Sequence, residues 1–295
     1  MPIKNSRVNP DRKKGKSPRS VSPVEQVLRV PVFGAAIFPW CSLIFKFLRA
    51  EGVLLAVNFS LLMYQGNHEL PHILSAMLLS ALVLAQLYGF NDVLDAANDI
   101  KDHDKRPGIA AVILENYRMF LASTLVWAIG LLMVAHFVFP KALPGVMAML
   151  TINTLYSMIF KGMPVVDVVV VAFWGGCFPL LLGEEIDITL IIVVGCMTGI
   201  SHVWQTMRDR DADASGGIKT IAVFSQFWAL LMVLAFSASI AAIAYARLSG
   251  GRAFSAMLLC VSPLLAYFAM QRIRRIWFFT KAAFAVLWVM ILWFR

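Results

Sequence analysis

The sequence predicts an all-α membrane protein with nine transmembrane helices. Of the 295 residues, 60% are hydrophobic, and the mean hydropathy is +0.75. Only 15% are charged, whereas soluble domains have about 25%. Apolar runs of about 20 residues recur along the chain, and each is long enough to cross about 30 Å of hydrocarbon. A soluble globular protein is therefore excluded.

The N-terminal part of the chain differs from the rest. Residues 1–27 are polar, rich in Lys, Arg, Ser and Pro, and show no apolar periodicity. They predict a disordered basic cytoplasmic tail, followed by a single transmembrane helical domain over residues 28–295. Residues 31–45 are apolar but short, and they contain Pro31 and Pro39. We expect an interfacial segment there, and a tenth span is the alternative.

The predicted spans are separated by turn-forming or charged clusters, such as Gln65-Gly66-Asn67-His68 and Ser249-Gly250-Gly251. The nine spans cover residues 47–65, 70–95, 117–138, 143–160, 163–183, 186–207, 221–246, 253–271 and 277–294.

The distribution of basic residues predicts the orientation of these spans. If the N-terminus is cytoplasmic, the loops after the even-numbered spans and their flanks carry twelve Lys and Arg residues, and the opposite side carries four. The twelve are Lys101, Lys105, Arg106, Arg118, Lys161, Arg208, Arg210, Lys219, Arg272, Arg274, Arg275 and Lys281. Cytoplasmic loops are enriched in such residues, so we expect a multi-pass protein of the cell inner membrane with a cytoplasmic N-terminus. The tail and loops also explain the pI of 9.6, and no nucleic acid partner is expected.

The second span ends in a cluster of acidic and amide side chains, which we call the first acidic motif (residues 91–99). Asp92, Asp95 and Asp99 are three and then four residues apart, so they share one face of a helix. Acidic groups at membrane depth are costly and usually mark a functional site. Ligands that are all oxygen favour Mg²⁺ or Ca²⁺ over zinc.

The second acidic motif (residues 209–213) follows the sixth span. Asp209 and Asp213 are four residues apart and are predicted to share a helical face, with Gln205 and His202 one and two turns earlier. Gly216-Gly217 is a typical helix stop.

Both motifs are expected on the same side of the membrane, because four spans, an even number, separate them. They can therefore converge on one ligand, and a pyrophosphate held by Mg²⁺ is the natural candidate. Lys105, Arg106, Lys161 and Arg208 are placed to contact the phosphates. The apolar interior of the bundle can hold a long hydrocarbon chain. This site would make the domain over residues 28–295 catalytic.

Several sequence patterns together resemble a known family. Residues 91–99 read N-D-x-x-D-x-x-x-D, and residues 209–213 read D-x-x-x-D, followed by Gly217 and Thr220. Asp104-Lys105-Arg106-Pro107 follows the first motif, and Tyr156-Ser157 precedes Lys161. In these motifs, in their order and in helix count, the chain from about residue 45 resembles the UbiA superfamily of intramembrane prenyltransferases.

The resemblance implies nine transmembrane helices around a central cavity. It also implies transfer of an isoprenyl group from an isoprenyl pyrophosphate to a lipophilic, commonly aromatic, acceptor within the lipid bilayer. The implied Mg²⁺ ligands are Asn91, Asp92, Asp95, Asp99, Asp209 and Asp213. Tyr156, Lys161, Arg106 and Arg208 would serve the pyrophosphate. One departure is the stretch Gly108–Val112, which lacks the polar turn often seen there in the family.

Other roles and functions remain open at the level of sequence. His202, Gln205 and Asn153 can line the cavity and contact an acceptor, or they can form hydrogen bonds between helices. Asp167 can support Lys161. An intramembrane terpene cyclase would use the same ionisation without an acceptor, and an ion-coupled transporter could use the acidic pairs for cation coupling.

Overall fold

The computed structural model describes residues 52–66, 69–100, 107–270 and 273–293, and within these ranges the chain forms helices and no strands. The α-helices are α1 (Gly52–Tyr64), α2 (Leu70–Asp99), α3 (Pro107–Glu115), α4 (Tyr117–Phe137), α5 (Leu143–Leu155), α6 (Val166–Cys177), α7 (Ile188–Arg208), α8 (Arg210–Ser215), α9 (Ile221–Phe224), α10 (Gln226–Arg247), α11 (Gly250–Met270) and α12 (Ile273–Trp293). A π-helical turn (Tyr156–Phe160) extends α5, and 3₁₀ turns occupy Pro140–Ala142 and Phe178–Leu182.

The prediction of an all-α membrane protein is confirmed. Among the described residues, seven helices are long and apolar enough to cross a membrane, and two shorter apolar helices cover Val53–Tyr64 and Val166–Leu182. Each of the nine predicted spans overlaps one of these helices, although length and composition identify only seven as spanning. The expectations for residues 1–27 and 31–45 fall outside the described residues.

The helix α3 lies where the sequence pattern predicts only a loop between the second and third spans. Its first residue is a proline, which suits the first turn of a helix because no backbone N–H is needed there. Its side chains Val112 and Ile113 are buried against Val93 and Ala96 of α2 and Phe120 of α4. The apolar stretch that departs from the family pattern is therefore helical and packs beside the first acidic motif.

The helix ends far from the acidic motifs are joined by polar and aromatic contacts. Gln65 donates a hydrogen bond to the carbonyl oxygen of Glu185 at 3.0 Å, and Arg247 pairs with Asp187, which caps α7. The rings of Tyr64 and Trp293 meet edge to face with centroids 6.4 Å apart. The helix bundle thus has two polar ends. These contacts lie at one end, and both acidic motifs lie at the opposite end.

Glycines permit the closest helix approaches. A Cβ added at Gly145 of α5 would lie 2.6 Å from the carbonyl carbon of Leu180 and 2.7 Å from its oxygen. A Cβ at Gly195 of α7 would lie 2.8 Å from the backbone oxygen of Ala172 in α6. Small residues let backbones approach in this way inside membranes, where packing replaces the hydrophobic effect between helices.

We expect Gly145→Ala to lower the stability of the detergent-solubilised protein by about 1–3 kcal/mol, because a backbone clash cannot be relieved by side-chain rotation. Thermal unfolding followed by size-exclusion chromatography measures this effect. Gly130→Ala in α4 is the control, because a Cβ there meets nothing within 4 Å. Equal melting temperatures for both variants and the wild type would contradict the packing described here.

Candidate active site

The first acidic motif lies at the carboxyl end of α2. This helix has 30 residues, which corresponds to about 45 Å and exceeds the hydrocarbon thickness of a bilayer. Asp92 and Asp95 are buried, each with 8% of its surface exposed, whereas Asn91 and Asp99 are half-buried. Within the helix, Asn91 donates a hydrogen bond to Asp95 Oδ2 at 2.9 Å.

The π-helical turn after α5, with the residue that follows it, brings two further polar side chains to this motif. In the turn, the Lys161 N–H donates to the Tyr156 carbonyl oxygen at 2.8 Å, an irregularity that is frequent at functional sites. Ser157 Oγ donates to Asn91 Oδ1 at 3.3 Å, and the Lys161 ammonium forms an ion pair with Asp95 Oδ2. The predicted phosphate ligand Lys161 therefore neutralises a carboxylate of the first motif.

The second acidic motif differs in its local structure from the predicted continuous helix. The helix α7 ends at Arg208, and α8 begins at Arg210. The Asp213 N–H nevertheless donates to the Asp209 carbonyl oxygen at 2.9 Å, so the two aspartates remain one turn apart. Gly217 has a φ of +76°, which glycine adopts readily, and the predicted helix stop is confirmed because α8 ends at Ser215.

Two side chains hold the carboxylates of this second motif. Arg208 forms two hydrogen bonds to Asp209, from Nε at 2.7 Å and from Nη2 at 2.8 Å. Thr220 Oγ1 donates to Asp213 Oδ2 at 3.3 Å. Both motifs thus have one aspartate paired with a basic residue.

The structure brings the two motifs to the same end of the bundle. Tyr156 lies within electrostatic range of Asp95 of the first motif and of Asp213 of the second. Gly162, which follows Lys161, lies against the loop after α8, where an added Cβ would be 3.4 Å from Ile218 Cγ2. The turn after α5 therefore bridges the two motifs.

The acidic side chains do not form a compact metal cage. Among the described residues, no group of three or more His, Cys, Asp or Glu side chains is placed to hold one ion. Mg²⁺ usually binds one or two carboxylates and completes its shell with water and substrate phosphates. The available donors are carboxylate and amide oxygens, so they suit Mg²⁺ bound together with a phosphorylated ligand.

A cavity of about 480 Å³ begins beneath the motifs and continues between α1, α7 and α12. Five of the predicted site residues line its polar end: Asn91, Asn153, Tyr156, His202 and Gln205. Along α12 its wall extends from Trp277 to Trp293, a distance of about 24 Å at 1.5 Å per residue. The wall is largely aromatic and apolar, with Trp174, Phe284 and Trp288 among its lining residues.

Asn153 serves both roles that the sequence leaves open, because it lines the cavity and also donates to the Leu87 carbonyl oxygen of α2 at 3.2 Å. His202 lines the cavity and meets the Tyr156 ring edge to face, with centroids 6.1 Å apart. The structure does not describe Lys105 and Arg106, so their proposed role stays a prediction.

The sequence analysis does not identify one residue of the site. Lys281 lies in the predicted ninth span and is counted there only as a basic flank of the preceding loop, but it lines the cavity from α12. Its ammonium is 3.9 Å from the centre of the Trp277 ring, and the Arg208 guanidinium is 5.6 Å from the same ring. The spacing of Trp277, Lys281, Phe284 and Trp288 at four, three and four residues is the helical signal that identifies this wall.

Asp167 also differs from its expected role beside Lys161. It is buried, with 1% of its surface exposed, and it faces His202 rather than Lys161. An acidic residue in an apolar helix is the sequence signal for such a position.

The fold of this chain is similar to that of solved proteins. No curated protein sequence matches the chain significantly. A solved structure of a UbiA homologue from Archaeoglobus fulgidus bound to DMAPP and Mg²⁺ matches 84% of this chain and 98% of its own, with a TM-score of 0.61 and 19% identity. The apo structure of a UbiA homologue from Aeropyrum pernix K1 matches 80% of this chain and 95% of its own, with a TM-score of 0.55 and 16% identity.

These similarities concern the fold, and the sequence comparison identifies the family. The model of the UbiA prenyltransferase family matches residues 53–294, which cover the whole bundle, both acidic motifs and the cavity wall. The chain therefore belongs to the UbiA prenyltransferase family.

Proposed function

We propose that the protein transfers an isoprenyl group from an isoprenyl diphosphate to a lipophilic, aromatic acceptor in a Mg²⁺-dependent reaction. The observation that carries this proposal is the cavity, which joins a polar end below two acidic motifs to a long aromatic interior. An isoprenyl diphosphate has the matching polarity, with a charged head and an apolar chain. The Archaeoglobus fulgidus homologue binds DMAPP or GPP together with Mg²⁺, which supports the same ligand class here.

The residues proposed to hold Mg²⁺ are Asn91, Asp92, Asp95, Asp99, Asp209 and Asp213. When bound, Mg²⁺ neutralises the diphosphate and makes it a better leaving group. The side chains around the site keep the aspartates in place. Asn91 and Lys161 fix Asp95, and Thr220 fixes Asp213.

The basic residues of the site have a second proposed role. Lys161 and Arg208 are bound to aspartates in the structure, and their ammonium and guanidinium groups are also the donors best suited to phosphate oxygens. Lys105 and Arg106, in the loop after the first motif, would add further phosphate contacts. The negative charge that develops on the departing diphosphate would be stabilised by these cations.

The interior of the cavity is suited to an allylic cation and to the chain that carries it. The faces of Trp174, Trp277 and Trp288 attract positive charge and bury the hydrocarbon. Exclusion of water protects the cation from hydrolysis. The polar side chains Ser201, Gln205 and Lys281 line the same cavity, and they provide hydrogen-bonding contacts for an acceptor.

These polar contacts favour transfer over cyclisation, because a cyclase needs no partner for its substrate. The decisive experiment incubates the purified protein and Mg²⁺ with isoprenyl diphosphates of increasing length, with and without aromatic acceptors, and identifies the products by mass spectrometry. We expect a prenylated acceptor and diphosphate release. A cyclic hydrocarbon or alcohol from the donor alone would establish the cyclase instead.

We propose that the end of the bundle carrying both motifs faces the cytoplasm of the cell, at the inner membrane. The excess of Lys and Arg in the loops at that end supports this orientation. Labelling of a single cysteine introduced at Lys219, which is exposed in the loop after α8, tests it with a membrane-impermeant reagent. Labelling of this cysteine in intact cells would contradict a cytoplasmic location of the two motifs.

The depth of the cavity gives a prediction about the donor chain. Ala285 of α12 lines the cavity, so Ala285→Phe is expected to lower kcat/KM about tenfold or more for long donors and much less for short ones, since overpacking is costly. Ala282→Phe is the control, because Ala282 is exposed on the same helix outside the lining. A uniform loss for donors of every length would argue against a chain lying along α12.

A further inference from the structure

His202, which lines the cavity and is partly buried, faces the buried Asp167 without a hydrogen bond between the two side chains. His202 Nε2 and Asp167 Oδ2 are 3.8 Å apart, and neither atom has a hydrogen-bond partner among the described residues. The other carboxylate oxygen of Asp167 accepts the N–H of Val168 at 2.7 Å, which fixes the side chain. A buried carboxylate is costly without a partner. An Nε2–H group of His202 that faces Asp167 would therefore stabilise this carboxylate.

The position of the ring connects this pair with the reaction space. His202 lines the cavity beside Tyr156, whereas its Nε2 is shielded and directed to Asp167. If Nε2 carries its proton toward Asp167, the lone pair of the ring is on Nδ1. A base oriented by a carboxylate in this way is the arrangement that activates groups in many enzymes.

The proposed reaction, on which this inference rests, releases one proton for each transfer. The C1–O bond of the donor breaks and its electron pair leaves with the diphosphate. A carbon or oxygen atom of the acceptor bonds to C1, and that atom then loses its hydrogen as a proton. In a water-poor cavity this proton needs an acceptor.

The described part of the cavity wall contains few groups able to take it. No carboxylate is among the lining residues, and His202 is the one imidazole. The amides of Asn153 and Gln205 are not basic, and the ammonium of Lys281 already carries its proton. We propose that His202 is a catalytic base that accepts the proton lost by the acceptor, and that Asp167 is its positioning residue.

The test compares two rates in the same preparations, with 4-methylphenol and hydroquinone as acceptor probes. One rate is formation of the prenylated phenol, and the other is diphosphate release from the donor without acceptor. For His202→Ala and His202→Gln we expect transfer to fall by about 10²-fold, with diphosphate release within about threefold of the wild type. Added imidazole is expected to restore part of the transfer by His202→Ala, because it supplies the missing base.

Two further variants make the comparison specific. Asp167→Asn is expected to lower transfer by less than removal of the base itself, which costs about 10²-fold, and to leave diphosphate release intact. His136→Ala is the matched control, since His136 is exposed on α4 and lies outside the cavity lining. Chromatographic profiles like those of the wild type show that each variant is folded.

The outcomes separate this inference from the function on which it rests. The His202→Gln variant keeps a hydrogen-bond donor but has no basic nitrogen. A wild-type rate of transfer by this variant would show that His202 is not the catalytic base. Equal loss of transfer and of diphosphate release in every His202 and Asp167 variant would overturn it too, because the pair would then serve binding or packing. If the wild type releases diphosphate but prenylates no phenol, both the inference and the proposed aromatic acceptor fail.

Discussion

Asp95→Asn and Asp209→Asn are each expected to reduce Mg²⁺-dependent diphosphate release by about 10²-fold or more, because each removes one negative charge where metal and phosphate must be neutralised. The amide has nearly the same shape as the carboxylate, so the fold should persist. Asp95 contacts Asn91 and Lys161, and Asp209 contacts Arg208. The two substitutions therefore test the two motifs separately.

The matched control for this prediction is Asp211→Asn. Asp211 lies between the two aspartates of the second motif, but it is exposed and points away from Asp209 on a helix. Its substitution changes the net charge by the same amount and should leave diphosphate release within about twofold, as surface substitutions usually do. Comparable losses for Asp209→Asn and Asp211→Asn would indicate a general effect of charge and would contradict a specific metal site.

A titration with Mg²⁺ adds a second measurement to the same variants. If the aspartates bind the ion, the Mg²⁺ concentration for half-maximal activity should rise in Asp95→Asn and Asp209→Asn and remain unchanged in Asp211→Asn. Near-wild-type turnover of both motif variants at low Mg²⁺ would remove the two motifs from the mechanism.

The convergence of the two motifs is the part of the site that sequence alone could predict. The reasoning needs only the parity of the spans between them, and membrane spans are easily recognised because each is a long apolar run. Residues that share one face of a helix can also be predicted from the sequence. The spacing of Asn91 and Asp95, or of His202 and Gln205, places each pair on one face by helical geometry. The ion pair of Lys161 with Asp95 and the Asp167–His202 pair are tertiary contacts, and no local pattern determines them.

The departures from the sequence-based expectations also have physical causes. The helix α3 forms because a short apolar segment after Pro107 can be buried on α2, a gain that composition does not reveal. The helix break places Asp209 directly after the last residue of α7. Differences in helix propensity are too small to predict the exact residue at which a helix ends. Lys281 is counted only as a basic flank of a loop because a charge near a span end is usually at the surface, whereas here its ammonium lies over the Trp277 ring at the cavity.

The Lys161 ammonium is predicted to bind the diphosphate, and Lys161→Ala tests this role against its observed pairing with Asp95. Removing the ammonium deletes a charged phosphate contact, so the KM for the isoprenyl diphosphate should rise about 10–100-fold, which corresponds to the 1.5–3 kcal/mol typical of hydrogen bonds to charged groups. It also leaves the buried Asp95 without its cation, which favours a metal ion there. We therefore expect the Mg²⁺ requirement to be unchanged or lower.

A higher KM for the isoprenyl diphosphate without a higher Mg²⁺ requirement makes the prediction specific. If Lys161 had only a structural role, its loss would not selectively raise the KM for the isoprenyl diphosphate or the Mg²⁺ requirement. If Lys161 only positioned Asp95 for the metal, its loss would raise the Mg²⁺ requirement. Lys161→Arg should recover part of the donor affinity, because guanidinium also binds phosphate. Lys141→Ala is the control, since Lys141 is exposed in the turn before α5, at the other end of the bundle. An unchanged KM in Lys161→Ala would exclude the lysine from diphosphate binding and would limit its function to neutralising Asp95.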